Sequence, residues 1–221
     1  MSLEYDYIIA GGGSAGCVLA SRLANKSKDS ICLVEAGGSG KNLFIKMPAG
    51  NGFIFGNPKF DWGYHSVKQA QLNNRKIYFA RGKGLGGTSI VNGMVYIRGV
   101  AQDYDNWRQM GLDGWGYSDL LPYFKYSEGS TNRQNKFHGN QGPLKVEPAR
   151  NFSVLDEAFI KAAVDTGHEF LDDFNANKRA GVSRIDSTTY RGVRQSSAIS
   201  YLKKVPKNLK ILTNTRVVKI L

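Results

Sequence analysis

The sequence predicts an α/β fold, α+β over the chain as a whole. Three observations carry this: a short apolar run feeds a glycine loop, a helical pattern follows, and a second apolar run ends on an acidic residue. The run at 5–10 (Y-D-Y-I-I-A) suits a buried parallel strand, because strands covered on both faces read as continuous apolar stretches. Within 14–25 the residues Ala15, Val18, Leu19 and Leu23 recur at helical spacing, which predicts a helix packed on that strand. A polar turn at 26–30 leads to a second buried strand at 31–35 (I-C-L-V-E). The product is a strand–helix–strand unit of about thirty residues with a right-handed crossover.

The segment 36–62 is rich in Gly and Asn, and irregular stretches of that length tend to be functional covers. Strands are expected at 63–67 and 76–80, joined by a polar turn through Gln71, Asn73 and Asn74. A second glycine-rich loop occupies 81–88. Helices are expected at 103–110 and 118–126, the latter capped by Ser118 and confined or kinked by Pro122. A strand at 142–147 precedes an amphipathic helix at 154–166 that ends at Gly167. A helix at 196–204 and strands at 209–212 and 217–221 complete the chain. The last run has no following turn or polar tail, so a truncated chain is expected.

Composition narrows the classes. Of 221 residues, 41% are hydrophobic and 22% charged, which fits a folded globular chain and not a disordered one. No apolar run of about 18 residues exists to span a membrane. No small-residue cleavage site follows the first apolar run, so a cytoplasmic location is expected, with peripheral membrane association left open. The net charge is +12, but the cations are scattered and the densest group (Lys203, Lys204, Lys207, Lys210) carries no nucleic-acid-binding signature. No nucleic-acid partner is expected. Cys17 and Cys32 are too few for a disulfide framework or a zinc site, and both read as buried hydrophobes. No metal is expected.

The first glycine loop, G-G-G-S-A-G, contains Gly11, Gly13 and Gly16 in G-x-G-x-x-G spacing between strand and helix. In that context Gly11 permits the tight turn, Gly13 allows close approach to a pyrophosphate, and Gly16 allows helix–strand packing. The helix start at Ser14 and Ala15 offers N–H groups and a partial positive charge to phosphates. An acidic residue about twenty positions on should hold the adenosine ribose, and Glu35 stands at that spacing. A carboxylate there disfavours a 2′-phosphate. In the second loop Gly82, Gly84, Gly86 and Gly87 let backbone N–H groups approach a flat, phosphate-bearing ligand, with Thr88 and Ser89 adding hydroxyls.

The strings E-A-G-G (Glu35, Ala36, Gly37, Gly38) and R-G-K-G-L-G-G-T-S-I-V-N-G-M-V-Y-I-R-G, from Arg81 onward, resemble the glucose–methanol–choline oxidoreductase family. So do D-W (Asp61, Trp62), D-Y-D-N-W from Asp103, W-G-Y-S-D-L-L-P-Y-F from Trp115 and H-G-x-x-G-P-L from His138. The resemblance spans essentially the whole chain and is nearest to the bacterial choline dehydrogenase group. It implies a Rossmann-like FAD-binding domain over 1–150, the beginning of a substrate domain over 151–205, and a return to the FAD domain over 206–221. It implies FAD and not NAD, with Gly86, Gly87 and Thr88 along the cofactor and Asn92, Gly93, Met94 and Val95 at the flavin edge. Trp62 and Arg81 would cover the flavin, and the backbone at Val217 would meet the adenine. Val91 stands where some members carry a flavin-linking histidine, so the FAD is expected to be non-covalent.

The implied activity is oxidation of a small primary alcohol to an aldehyde, with oxygen or a quinone- or dye-type compound as electron acceptor. None of His65, His138 or His168 lies in a motif the family uses for catalysis. The catalytic histidine pair is expected beyond Leu221, so no catalytic residue is expected within 1–221. An inactive FAD-binding fragment is the alternative.

Overall fold

The computed structural model describes residues 4–150, 153–176 and 180–220. The chain divides into two compact units, one of residues 1–93 and 193–221, the other of residues 94–192. This division differs from 1–150, 151–205 and 206–221, because the chain leaves the first unit at Gly93 and re-enters it at Val193.

The first unit opens with β1 (Tyr7–Ala10), α1 (Ser14–Lys26) and β2 (Ile31–Val34). The segment read as irregular holds two single turns of helix, α2 (Leu43–Lys46) and α3 (Asn51–Ile54). The expected strand pair follows, shorter than predicted, as β3 (Tyr64–His65) and β4 (Tyr78–Phe79), antiparallel.

The second unit contains β5 (Val95–Tyr96), α4 (Ala101–Gln109), α5 (Tyr117–Ser127), β6 (Glu128–Ser130), β7 (Leu144–Pro148), α6 (Val154–Asp165), β8 (Asp186–Ser187) and β9 (Thr189–Tyr190). Its sheet has the order β5-β8-β7-β6, parallel only between β6 and β7. The cap of α5 is Gly116 and not Ser118: the Gly116 N–H donates to Asp119 and the Tyr117 N–H to Asp105, so carboxylates serve the helix start. Pro122 does not confine this helix, which runs on to Ser127. Ser153 and Asp156 cap α6 reciprocally, and Gly167 follows it at φ +94°. No residue of α6 is buried, and Val154, Leu155 and Phe159 face solvent.

The chain returns to the first unit through β10 (Val193–Arg194), α7 (Ser197–Tyr201) and β11 (Leu209–Leu212). β11 lies parallel to β2 on the side opposite β1, giving the order β1-β2-β11. β2 is therefore the central strand and is buried throughout. β1 was expected to be buried, yet Tyr7 and Ile8 are 46% and 64% exposed. Among the described residues β1 is an edge strand, and only its Ile9 enters the core with Ala20, Ala24, Ile31, Leu33, Leu85 and Leu209.

The helix packs on the sheet as expected, with Leu23 at the edge of the core, but the face that α1 buries differs in part from the expectation. Ala15 and Leu19 are exposed, whereas Cys17, Ala20, Ser21 and Ala24 are buried. Close approach to the strand decides this: a Cβ on Gly16 would stand 1.9 Å from the Gly11 carbonyl oxygen, so small residues take the contact. Both cysteines are buried as expected, and burial pushes the Cys17 thiol up to about 11. Residues 217–220 form no strand, against the expectation, and Leu221 lies outside the described residues. Val218 and Ile220 have the right side chains for a strand, but both are exposed and no strand among the described residues pairs with them.

Candidate functional site

The site begins where β1 turns into α1. Gly11 has φ +99°, a conformation that favours glycine, and Gly16 lets the helix close on that turn. Gly13 caps α1 without a side-chain bond, no acidic residue occupies the first helical turn, and Ser14 and Ala15 are exposed. A Cβ on Gly13 would find its nearest heavy atom, Gly87 Cα, at 4.0 Å. The space at Gly13 is open, as an approaching pyrophosphate requires.

The second glycine loop packs against the first. The Gly86 N–H donates to the Gly12 carbonyl at 2.7 Å, and a Cβ on Gly87 would stand 2.7 Å from Gly13 Cα. Gly84, Gly86 and Gly87 all have positive φ, and the loop ends in a turn of 3-10 helix over Gly87–Ile90. Two glycine loops thus share one backbone-lined cradle at the positive end of α1.

Glu35 follows the last residue of β2 and is buried. Its Oε2 accepts the Gly12 N–H at 2.8 Å and its Oε1 the Gly37 N–H at 2.7 Å. The carboxylate is thereby fixed beside the cradle, each oxygen keeping a further lone pair for a ribose hydroxyl. Alongside lies a cavity of about 330 Å³ lined by Ala36, Gly37, Asn214 and three lysines, Lys41, Lys59 and Lys83.

Asp61, buried, organises the covering segment. It accepts N–H groups of Gly56, Gly63 and Arg81 and the hydroxyl of Tyr78. Burial opposes ionisation, but these donors outweigh it and hold the carboxyl at about 2. Trp62 and Arg81, both expected to cover a flavin, are joined by the Trp62 N–H donating to the Arg81 carbonyl at 2.9 Å. The Trp62 indole stacks on Tyr64, with Lys83 and Arg216 at 5.3 and 5.8 Å from its ring centroid.

Of the predicted site residues, Gly11, Gly13, Ser14, Ala15, Gly16, Glu35, Ala36, Gly86, Gly87 and Thr88 converge on the cradle or its edge. Asn92 and Gly93 close the first unit, whereas Met94, at φ +63°, and Val95 open the second. Val91 is buried, in a cluster with Ile45, Ile54, Phe60 and Ile90. Val217 lies on an irregular segment.

The histidines divide. His65 and His168 are exposed. His138 is buried within the second unit, with Nδ1 at 2.7 Å from Glu128 and Nε2 at 2.8 Å from Asp173. Burial would lower its pKa, but Asp173 and Glu128 together raise it to about 9, so the ring is an imidazolium at neutral pH. Arg98 pairs with the same Glu128 at 2.7 Å, and Arg133 reaches Asp186 at 2.6 Å. The H-G motif carried the signal for His138, but neither carboxylate partner was legible in sequence. Among the described residues no group of three or more His, Cys, Asp or Glu is placed to hold a metal, and no helix is long and apolar enough to cross a membrane.

A parallel sheet, two glycine loops meeting at a helix N-terminus and a strand-end carboxylate are the parts of a dinucleotide-binding unit. The sequence matches the GMC oxidoreductase family over residues 5–221, and the chain belongs to that family. It is 44% identical over 201 residues to an oxygen-dependent choline dehydrogenase of Sinorhizobium fredii (strain NBRC 101917 / NGR234), covering 91% of this chain and 37% of that protein. A Vibrio vulnificus (strain YJ016) protein of the same name is 39% identical, covering 100% of this chain and 40% of its own.

Among solved structures, pyridoxine 4-oxidase from Mesorbium loti superimposes with a TM-score of 0.91 at 35% identity, over 97% of this chain and 43% of that one. An FAD-dependent oxidoreductase from Chaetomium thermophilum gives 0.86 at 30% identity, over 95% and 38%. The chain therefore spans less than half the length of the proteins it matches. The residues present fit FAD: the open cradle at Gly13 suits its pyrophosphate and Glu35 its ribose.

Proposed function

We propose that this chain supplies the FAD-binding part of an enzyme that oxidises a primary alcohol, choline-like, aromatic or aliphatic, to its aldehyde. One observation carries the reading: the two glycine loops meet at an open Gly13 beside a fixed Glu35, in a chain of the GMC oxidoreductase family. Bound FAD would accept hydride from the carbinol carbon at its N5.

This chain's own contribution is binding and placement. The N–H groups at the start of α1 and along the second glycine loop take the pyrophosphate, and Glu35 takes the ribose hydroxyls. Trp62 and Arg81 cover the ring system, Asn92, Gly93, Met94 and Val95 border its reactive edge, and the Val217 backbone meets the adenine. These last assignments rest on the family resemblance. Val91 has no nucleophilic atom, which supports a dissociable cofactor.

His138 is held between two carboxylates and is unsuited to accept a proton from substrate; the family resemblance assigns the base to a histidine beyond Leu221. The names of the choline dehydrogenase relatives support oxygen as the acceptor, with a quinone- or dye-type compound as the alternative. A cytoplasmic location belongs to the same reading.

The test is dye reduction by the full-length, FAD-loaded protein with choline, benzyl alcohol and short alkanols. Aldehyde formed in step with dye reduction is the expected result. A flavin left oxidised by every alcohol overturns the activity. Residues 1–221 alone are expected to show no turnover.

A further inference from the structure

Arg194 is the largest fully buried side chain among the described residues, and its guanidinium meets no carboxylate. Nε donates to the Ile45 carbonyl at 2.9 Å, and Nη2 to the Asn51 Oδ1 at 2.7 Å. Nη1 donates to the Asn92 carbonyl at 2.6 Å and its Oδ1 at 3.0 Å, and lies 3.5 Å from the Ser89 carbonyl. Every acceptor is a neutral oxygen. Burial alone lowers this guanidinium, to about 10, with no neighbouring charge acting on it, and it stays protonated at neutral pH.

Burying a lone charge is costly unless hydrogen bonds or a counter-charge compensate it. The acceptors belong to α2, the start of α3 and the end of the second glycine loop, all in the first unit. Ser89, two residues on from Gly87, is fixed a second time: its Oγ donates to the Gly86 carbonyl and accepts the Ser197 N–H at 2.9 Å. Arg194 thus stitches the covering segment to the loop that forms the cradle. It also sets an unneutralised positive charge close behind that loop.

We propose that Arg194 is a positioning residue for the dinucleotide, and that its uncompensated charge is neutralised by the FAD pyrophosphate when the cofactor binds. The inference rests on the FAD reading above and adds an anion-recognising charge behind the loop to the backbone N–H groups in front of it. The link to the cradle is the Ser89 carbonyl, 3.5 Å from Nη1 and two residues on from Gly87. At an effective dielectric of about 20, a unit charge within about 10 Å of an anion changes its affinity on the order of tenfold.

The discriminating variant is Asn51→Asp, which sets a carboxylate against Nη2 and keeps the fork intact. Apoprotein of the full-length enzyme is titrated with FAD by flavin fluorescence, and the melting temperature of the apoprotein is recorded. A raised apo melting temperature with FAD affinity lowered about tenfold is expected, an opposition that a purely structural role does not produce. Arg194→Lys, which keeps the charge, should retain more affinity than Arg194→Met. Wild-type affinity in Asn51→Asp, or equal losses in the lysine and methionine variants, overturns the inference alone. A wild-type apoprotein that takes up no FAD overturns the FAD reading with it. Should Arg194→Met fail to fold, Asn51→Asp still decides.

Discussion

Gly87 and Gly13 meet backbone to backbone: a Cβ on Gly87 would stand 2.7 Å from Gly13 Cα, while a Cβ on Gly13 would stand 4.0 Å from Gly87 Cα. The asymmetry separates folding from binding. Gly87 also has φ +51°, so Gly87→Ala should cost roughly 1–2 kcal/mol from backbone strain alone, with the close contact adding to it. Gly13→Ala should cost the apoprotein about 1 kcal/mol or less, as a change at a helix cap. Thermal unfolding of both apo variants checks this, and a Gly13→Ala loss as large as that of Gly87→Ala would contradict it.

A second prediction concerns alkaline pH. His138 lies between Glu128 and Asp173, and its folded pKa is raised from 6.5 to about 9. The protonated form is favoured by folding, so the stabilisation is fully present below 6.5 and is lost as pH rises through about 9. Neutral imidazole can donate only one of the two bonds. Melting temperature should fall between about pH 7 and 10 in the wild type and show a flatter profile in His138→Gln. Parallel profiles would remove His138 from the account of this unit.

Asp61 gives the opposite sign. Its folded pKa is lowered to about 2, burial being outweighed by donors from Gly63, Tyr78, Gly56 and Arg81. The stabilisation it brings is present above the ordinary value of 3.8 and is lost as pH falls through about 2. Asp61→Asn cannot accept all four donors, so the segment carrying Trp62 should loosen. A red shift and faster quenching of tryptophan emission in that variant is the expected readout, and unchanged emission and quenching would contradict it.

The sequence disclosed what depends on neighbours in the chain. Gly11, Gly16 and Glu35 fall where the strand–helix–strand spacing puts them, and Leu209–Leu212 was legible as a strand from its own side chains. What it hid depends on packing and distance. Leu19 outranks Ala20 in hydrophobicity, but the close approach at Gly16 gives the fully buried positions of α1 to small residues, with Leu23 packing at the edge of the core. Arg194 reads as one more surface cation until it meets Ile45, 149 residues away in sequence. The donors to Asp61 likewise come from positions 56, 63, 78 and 81, which carry no common pattern.

A non-covalent flavin is proposed because the side chain of Val91, buried among Ile45, Ile54, Phe60 and Ile90, has no nucleophilic atom. Acid precipitation of the full-length protein should leave the yellow colour in the supernatant. Colour retained in the pellet would show a covalent link elsewhere.

The central claim is that the cradle around Gly13 and Glu35 holds FAD. Glu35→Ala removes charge-assisted hydrogen bonds worth roughly 1.5–3 kcal/mol each, and the fixing bonds to Gly12 and Gly37 go with them. FAD retained after gel filtration of full-length wild type, Gly13→Ala and Glu35→Ala, each checked for folding by circular dichroism, tests it most directly. A yellow wild type with both variants colourless is the predicted result; full retention of FAD by both folded variants would contradict it.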